Sequence, residues 1–193
     1  MILSAKSSID GVHNMSSPSE PAQVKLISSL FSAEKDLLEE IINELSKIFG
    51  DIDWISPDLF FDRTRYYAKE MGWPLHRRLV SFLELLPADS LVESKIKTNG
   101  LEQQYLDDRD RRVNIDPGFI SAERLVLATG KNYIHRIYLS KGIFADLTLI
   151  FQKGSFRPLK WTYPDYTEAE MIAYFNEIRE KYMNQLKEVI GID

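Results

Sequence analysis

The chain of 193 residues, with 44% hydrophobic and 27% charged residues, has the length and composition of a globular protein able to bury a core. It contains no cysteine, which excludes disulfides, thiolate catalysis and cysteine-ligated metal sites. Its net charge of −5 at pH 7 argues against a basic nucleic-acid-binding domain, and no apolar run reaches the roughly 20 residues that span a bilayer. We therefore expect a cytoplasmic protein without membrane contact, and nucleic acid as an unfavoured partner.

Residues 1–23 are expected to form a flexible leader. They are rich in serine and proline and lack the apolar segment of a secretory signal. Met15, which two serines and a proline follow, is an alternative start. Residues 24–193 are expected to form a single domain, since single domains of about 100–200 residues are common.

The first half of the chain predicts strands that alternate with helices. A strand over Val24–Phe31 precedes an amphipathic helix that Ser32 caps and Gly50 ends. Asp51–Phe61 is typical of extended structure that Pro57 interrupts.

A short helix over Asp62–Met71 comes next. Arg77–Leu86 is apolar on both faces, which favours a central strand. Asp89 or Ser90 then begins a helix that continues to about Leu106.

The second half predicts strands and turns, followed by one long helix. A short strand ends at Ile115 and enters a turn at Asp116-Pro117-Gly118. Ser121–Thr129 is too short a pattern to separate helix from strand. A last helix is expected over Thr167–Val189, with Thr167 and Glu170 as a capping box.

Ile134–Leu139 and Ile143–Phe151 predict a hairpin, because the loop Ser140-Lys141-Gly142 offers glycine at a left-handed position. A two-residue loop would place Ile137 opposite Asp146, so the three-residue loop is preferred. The cross-strand pairs of this register are Leu139–Ile143, Tyr138–Phe144, Ile137–Ala145, Arg136–Asp146 and His135–Leu147. A second turn is expected at Lys153-Gly154.

This order of elements indicates the α+β class with a mixed or antiparallel sheet. We expect a ferredoxin-like β-α-β-β-α-β core, then a C-terminal β-meander and the long amphipathic helix.

The leading candidate site lies before the predicted turn. Asn114 and Asp116 alternate with apolar residues, so both project from one face of a strand. With Arg112 they present an amide, a carboxylate and a cation, which suit a polar ligand or a hydrated magnesium ion. Asp116 is the candidate catalytic residue, and Asn114 and Asp116 are the candidate metal ligands. An equal alternative is that both side chains brace the turn.

His135 and Arg136 are weaker candidates. On a strand their side chains point to opposite faces, so a hydrogen-bonded core histidine is the favoured interpretation of His135 over a catalytic role. Arg136 opposite Asp146 is expected to form a structural ion pair rather than an anion clamp.

Further polar and aromatic residues complete the set. Arg63 and Tyr66 on the short helix can hold a phosphate or a carboxylate. Lys131 and Tyr163 are expected at the rim of the site. Asp165 either stabilises a turn or lies beside a tyrosine wall for a planar ligand.

Several segments together resemble a known prokaryotic family. They are Asp62-Arg-Thr-Arg-Tyr-Tyr67 with Glu70-Met-Gly72, Arg77-Arg78 with Ser81-Phe82, Lys97-Thr-Asn99, Arg112-Val-Asn-Ile-Asp-Pro-Gly118, His135-Arg-Ile-Tyr-Leu139, Gly142-Ile143 and Trp161-Thr-Tyr-Pro-Asp-Tyr166. The chain after the leader resembles the domain of unknown function 4416, some members of which are labelled GTP-binding. The resemblance implies no established activity, and the chain has no GxxxxGK[ST] phosphate loop to support that label.

The leading hypothesis is a protein that binds an anionic small molecule, a nucleotide or a phosphorylated metabolite, in a cleft at strand ends. If it is an enzyme, hydrolysis or transfer of a phosphate-containing group is the favoured class. The alternative is an interaction or scaffold subunit, homo-oligomeric or with a protein partner, since the chain is rich in aromatic residues and carries no complete catalytic motif. A weaker alternative is RNA binding through five arginines, namely Arg77, Arg78, Arg109, Arg111 and Arg112.

Overall fold

The computed structural model describes residues 17–61 and 68–190, which form an α+β fold around a nine-stranded sheet. The strands are β1 (Val24–Ser32), β2 (Ile52–Ile55), β3 (Leu59–Phe61), β4 (Leu75–Leu86), β5 (Leu106–Asp107), β6 (Asp110–Arg111), β7 (Val113–Ile120), β8 (Arg124–Thr129), β9 (Arg136–Ser140), β10 (Ile143–Gln152) and β11 (Ser155–Pro158). The helices are α1 (Lys35–Phe49), α2 (Ala68–Met71), α3 (Leu91–Gln104) and α4 (Ala169–Ile190). Short 3-10 turns cover Ala88–Ser90 and Pro164–Thr167.

The strand order of the sheet is β11-β10-β8-β7-β1-β4-β2, and every pairing is antiparallel. β3 pairs with β4, β9 pairs with β10, and β5 and β6 form a separate two-stranded ribbon. β4 lies inside the sheet, as its apolar pattern predicts. The α+β class with an antiparallel sheet and a C-terminal helix is confirmed.

Helices cover both faces of the sheet. On one face, the apolar stripe of α1 packs against β1, β4 and β7, and α3 continues this layer toward β8 and β10. On the other face, α4 buries Met171, Phe175, Ile178 and Tyr182 against β1, β4, β8, β10 and β11. No helix among the described residues is long and apolar enough to cross a bilayer.

Asp116-Pro117-Gly118 is not a turn, contrary to the expectation from its turn-forming residues. β7 continues through it to Ile120 and pairs with β1 along its full length. Pairing with β8 begins only at Gly118, so Pro117 forfeits no hydrogen bond on that side. A Cβ at Gly118 would lie 2.6 Å from the carbonyl oxygen of Val126, so the glycine permits close packing of strands. The interpretation of Asn114 and Asp116 as braces of a turn is therefore wrong.

The side-chain caps predicted for the first and last helices are also wrong, whereas Gly50 is the C-cap of α1 and Ser90 is the N-cap residue of α3. Ser32 is the last residue of β1, and its Oγ accepts a hydrogen bond from the backbone N–H of Glu34, which is the N-cap residue of α1. Thr167 ends the 3-10 turn and donates its hydroxyl to the carbonyl of Pro164. Each hydroxyl already serves a local turn and does not cap the helix that follows.

The hairpin of β9 and β10 confirms three of the five predicted pairs and corrects its loop. Arg136–Asp146, Ile137–Ala145 and Tyr138–Phe144 are paired, but Ile143 faces Ser140 instead of Leu139. The loop has two residues, Lys141 and Gly142, both with positive φ, and an irregularity after Ile143 restores the expected register. Leu147 pairs with β8, and His135 precedes β9, so the pair His135–Leu147 is absent.

Four other predictions concern β8, the turn after β10, the leader and the short helix that precedes β4. Residues 121–129 contain β8, so the strand alternative is correct there, and the turn at Lys153-Gly154 joins β10 to β11. Residues 17–23 are exposed and without regular structure, while the rest of the predicted leader lies outside the described residues. Of the predicted helix over Asp62–Met71, only α2 is described.

Candidate functional site

A cleft of about 740 Å³ opens where β7 and β8 separate. The two strands pair only between Gly118–Ile120 and Leu125–Leu127, so they are separate toward Asn114 and Thr129. Both of those residues line the cleft, as do side chains of α3 and of the turn before α4. The volume lies in the range of about 300–1,000 Å³ that is usual for small-molecule sites.

Two side chains of α3 take the place of a neighbouring strand along the floor. The ammonium of Lys95 donates to the carbonyl oxygen of Ile115 across 2.8 Å, and the carboxylate of Glu102 accepts the N–H of Ile115. Lys95 and Glu102 are both buried and both line the cleft. Burial raises the pKa of Glu102, although the charge of Lys95 and the bond from Ile115 oppose this rise. The floor thus contains a carboxyl group that burial favours in its neutral form.

A chain of hydrogen bonds crosses the floor. Asn114 Nδ2 donates to Asp116 Oδ2 across 2.8 Å, and Asp116 Oδ1 lies 3.3 Å from the Lys95 ammonium. Arg111 donates to Asn114 Oδ1 across 2.7 Å and forms a two-bond pair with Glu70 of α2 at 2.6 and 2.8 Å. The bond from Arg111 lowers the pKa of Glu70. The predicted pair Asn114 and Asp116 is therefore held in one geometry from both ends.

A second polar cluster forms the wall at β9 and β10. Arg136 Nε donates to Asp146 Oδ2 across 2.8 Å, and another nitrogen of the same guanidinium donates to the hydroxyl of Tyr163 across 2.9 Å. Burial lowers the pKa of Arg136, but the bonds to Asp146 and Tyr163 outweigh burial and leave this pKa raised. The cross-strand ion pair is confirmed, and Arg136, Asp146 and Tyr163 also line the cleft.

His135 contacts this cluster on the side away from the cleft. Its Nε2 lies 3.3 Å from Asp146 Oδ2, and its ring stacks on Trp161 with centroids 5.2 Å apart. The expectation that His135 and Arg136 point to opposite faces is wrong, because His135 precedes β9 and both side chains meet the same carboxylate. Its ring is buried but does not line the cleft, so the structural interpretation fits better than a catalytic one.

An aromatic wall, formed by Phe31, Phe61 and Tyr166, packs on a buried cation. Arg77 of β4 lies over the rings of Phe31 and Tyr166, with its guanidinium carbon 4.8 and 4.5 Å from their centroids. It also donates to Asp165 Oδ2 across 2.7 Å. Burial raises the pKa of the Tyr166 hydroxyl. Asp165 thus joins the turn before α4 to the centre of the sheet, and Arg77 is a core residue.

The rim is formed by the segment after β8. Thr129, Gly130 and Lys131 line the cleft, and the backbone N–H of Lys131 donates to Thr129 Oγ1 across 3.2 Å. The carbonyl of Lys131 accepts a bond from Arg136. Lys131 is exposed, so this part of the lining contains a cation in contact with solvent.

The cleft brings together six of the predicted site residues, namely Asn114, Asp116, Lys131, Arg136, Tyr163 and Asp165. Arg112 does not belong to it, because its side chain forms two hydrogen bonds with Glu34 at 2.9 and 2.7 Å. Arg63 and Tyr66 lie outside the described residues.

Arg111 and α3 also contribute to the cleft, although neither was predicted to do so. Arg111 replaces Arg112 because β6 ends there and a one-residue shift reverses the face on which a side chain lies. Lys95, Asn99 and Glu102 line the cleft from α3. Their spacing of four and then three residues places them on one face of a helix, so the sequence indicates a shared polar stripe but not the strand that this stripe contacts.

A metal ion has little support from this arrangement. Among residues 17–61 and 68–190, no group of three or more histidine, cysteine, aspartate or glutamate side chains could hold one. The carboxylate of Asp116 already contacts Asn114 and Lys95. Magnesium at Asn114 and Asp116 stays an untested prediction.

Comparison with known proteins identifies a family without an assigned activity. No curated protein and no solved structure matches the chain. The family model described as Domain of unknown function (DUF4416) matches residues 22–182, which is most of the chain. This protein therefore belongs to the DUF4416 family.

Proposed function

We propose that this protein binds a small organic anion, such as a nucleotide or a phosphorylated metabolite, in the cleft between β7 and β8. The observation that carries the proposal is the composition of this cleft. One chamber of ligand size combines aromatic side chains with cations and with hydrogen-bonding groups held in place by their neighbours. Such a mixture of apolar walls and a few fixed polar groups is typical of small-molecule sites.

The two walls suit different parts of such a ligand. Phe31, Tyr166 and Tyr163 offer ring surface for a planar group. Lys131 provides an ammonium for the anionic group, while Arg111 and Arg136, each already paired with a carboxylate, hold the polar side of the cleft in place. We place the planar part at the aromatic wall and the anionic part toward the rim.

Hydrolysis or transfer of a phosphate-containing group stays a prediction, with Asp116 as base or metal ligand. The contacts of Asp116 favour another role for this residue. Its oxygens are engaged by Asn114 and Lys95, which suits a group that orients the floor better than one that removes a proton from a ligand.

The test is a thermal-shift screen of the purified protein against nucleoside mono- and triphosphates and sugar phosphates, each with and without magnesium. A ligand at about 100 times its Kd stabilises the folded state by about 2.7 kcal/mol. In a chain of this size that corresponds to a rise in Tm of about 5–10 °C. We expect at least one compound of these classes to produce such a rise.

Two cleft variants and one control test whether the compound that raises Tm binds in the cleft. Lys131→Ala and Asn114→Ala/Asp116→Ala should abolish the rise, whereas Lys47→Ala should keep it, because Lys47 is an exposed residue of α1 that pairs with Glu44. A ligand-induced rise that survives in both cleft variants would place binding elsewhere and contradict the proposal.

An interaction or scaffold role is a second candidate. The observation that favours it is a strip of exposed apolar side chains before and along β9, at Tyr133, Ile134, Ile137, Tyr138 and Leu139. A polar cleft and an apolar strip coexist in this chain, so the two roles do not exclude each other.

Four of the five arginines on which the RNA alternative depends give it little support. Arg77 is buried, Arg78 contacts Glu39, Arg111 pairs with Glu70, and Arg112 pairs with Glu34. Carboxylates next to these cations weaken any attraction for phosphate.

We also propose that β1-α1-β2-β4-α3-β7 is a ferredoxin-like core, to which the meander of β8, β10 and β11 and the helix α4 are added. The neighbour order β7-β1-β4-β2 supports this assignment, as does the position of α1 and α3 on one face. An experimental structure with another order of these four strands would contradict it.

A further inference from the structure

β9 is an edge strand whose side chains have the reverse of the usual distribution. Ile137 and Tyr138 are 69% and 59% exposed, and Ile134 just before the strand is 95% exposed. The side chains of His135 and Arg136 between them are only 7% exposed. Burial of charged groups and exposure of large apolar groups both cost free energy. A strand that does both is typical of one whose apolar side meets another surface.

The edge of β9 also lacks the usual protection against strand pairing. Within the described residues β9 pairs with β10 alone. Natural edge strands carry lysine, proline or outward charge, as β11 does along the same side of β10 with exposed Arg157 and Pro158. β9 contains no lysine and no proline, and its one charged side chain, Arg136, turns inward onto Asp146.

We propose that β9 pairs antiparallel with the β9 strand of a second copy of this chain, about a two-fold axis at Tyr138. This register places Ile137 of each copy opposite Leu139 of the other, which forms two apolar cross-strand pairs on one face. Tyr138 lies opposite its own copy on the other face, and Arg136 lies opposite Ser140. No like charges face each other, so the strand is complementary to itself, as an isologous two-fold interface requires.

The choice of a second copy as occupant follows from this charge pattern. Charge complementarity steers a different protein partner to its surface and suppresses wrong partners. Strand β9 presents no such charge, because its one charged side chain, Arg136, is paired with Asp146 of the same chain. The same five residues satisfy both sides of the pairing without any additional surface feature.

The absence of cysteine from the chain makes a direct test possible. Residues directly opposite in an antiparallel pair have Cα atoms about 4.5–5.5 Å apart, which is within disulfide range. Tyr138→Cys should therefore form a disulfide-linked dimer under mild oxidation at least ten times faster than Leu83→Cys. Leu83 is a matched control, since it is a 47% exposed apolar residue of β4.

Sedimentation of the unmodified chain over about 1–100 μM provides the second measurement. We expect a reversible dimer whose dissociation constant rises at least tenfold in Ile137→Lys and is unchanged in Leu83→Lys. Both substitutions replace exposed side chains, so both variants should fold.

Two outcomes would overturn the proposal. One is a monomer at every concentration. The other is a dimer that Ile137→Lys leaves intact and that Tyr138→Cys links no faster than the control does, which would place the interface on another surface. Neither measurement depends on a ligand in the cleft, so a failed ligand screen would leave this test unaffected.

Discussion

At the scale of single residues, Glu102 shows how the floor of the cleft gains a proton-binding group. Its carboxyl satisfies the N–H of Ile115, a bond that a neighbouring strand would normally supply, and burial raises its pKa. A carboxyl whose pKa is higher in the folded than in the unfolded state favours folding most at low pH. That contribution is lost as pH rises from the unfolded value of about 4.5 through the raised folded value.

Glu102→Gln tests this linkage. Glutamine keeps an acceptor for Ile115 but cannot ionise, so the variant escapes the cost of a buried charge. We expect its free energy of unfolding, relative to the unmodified chain, to increase as pH rises above 4.5. Urea denaturation of both proteins between pH 3.5 and 8 measures this difference, and a difference independent of pH would contradict the assignment.

At the scale of elements, Gly118 decides how closely β7 and β8 approach. A Cβ there would lie 2.6 Å from the Val126 carbonyl and 2.7 Å from a methyl carbon of Leu127. Gly118→Ala should therefore reduce the free energy of unfolding by about 1–3 kcal/mol, the usual cost of overpacking. Gly100 in α3 is the control, because a Cβ there meets no atom within 4 Å.

The two alanine substitutions should have opposite signs. Gly100→Ala should stabilise the chain by about 0.5–1 kcal/mol, since glycine inside a helix costs about that much. Urea unfolding of both variants checks the contrast. Equal effects at the two sites would show that Gly118 does not limit the approach of the strands.

Gly118 also shows which elements could be predicted from sequence. Periodicity over many residues identified α1, α4 and β4 correctly, because their apolar stripes bury against the rest of the protein. The prediction of a turn at Asp-Pro-Gly was wrong because β7 pairs with β1 along its whole length, and this pairing overrides the turn preference of the three residues. Local turn chemistry is a weaker determinant than pairing on the inner side of a strand.

Asn114 and Asp116 could be predicted as a pair because one strand supplies both. Alternation places Asn114 and Asp116 on a common face without knowledge of the fold. The side chains that hold them, Lys95 and Glu102, come from α3, and their approach to β7 depends on helix packing that no local pattern specifies. Arg111 and Arg112 are neighbours of equal chemistry, so only the register of β6 and β7 separates their roles.

At the scale of the whole molecule, Lys25 joins four elements at one buried point. Its ammonium, on β1, forms an ion pair with Asp53 of β2 at 2.7 Å. It also donates to the carbonyl of Phe82 on β4 and to Gln185 of α4. The side chain is fully buried, and burial lowers its pKa despite the nearby Asp53 carboxylate.

Lys25→Met should cost about 3–5 kcal/mol, because it leaves the Asp53 carboxylate without its partner. The double variant Lys25→Met/Asp53→Asn should recover most of this loss, since it removes the uncompensated charge and keeps an acceptor for Ser81. Lys47→Met, at an exposed pair, should change stability by less than about 1 kcal/mol. Chemical denaturation of the three variants measures these differences, and a double variant no more stable than Lys25→Met would contradict the argument.

The contact between Arg77 and Asp165 affects the order in which parts of the chain can fold during synthesis. Arg77 lies in the middle of the sheet, but its carboxylate partner follows 88 residues later, in the turn that leads into α4. During synthesis from the N-terminus, β4 is complete long before the ribosome reaches residue 165. Until then the guanidinium has neither Asp165 nor the ring of Tyr166 beside it. The aromatic wall of the cleft is therefore assembled last, and a nascent or truncated chain that ends before this turn cannot form the complete cleft.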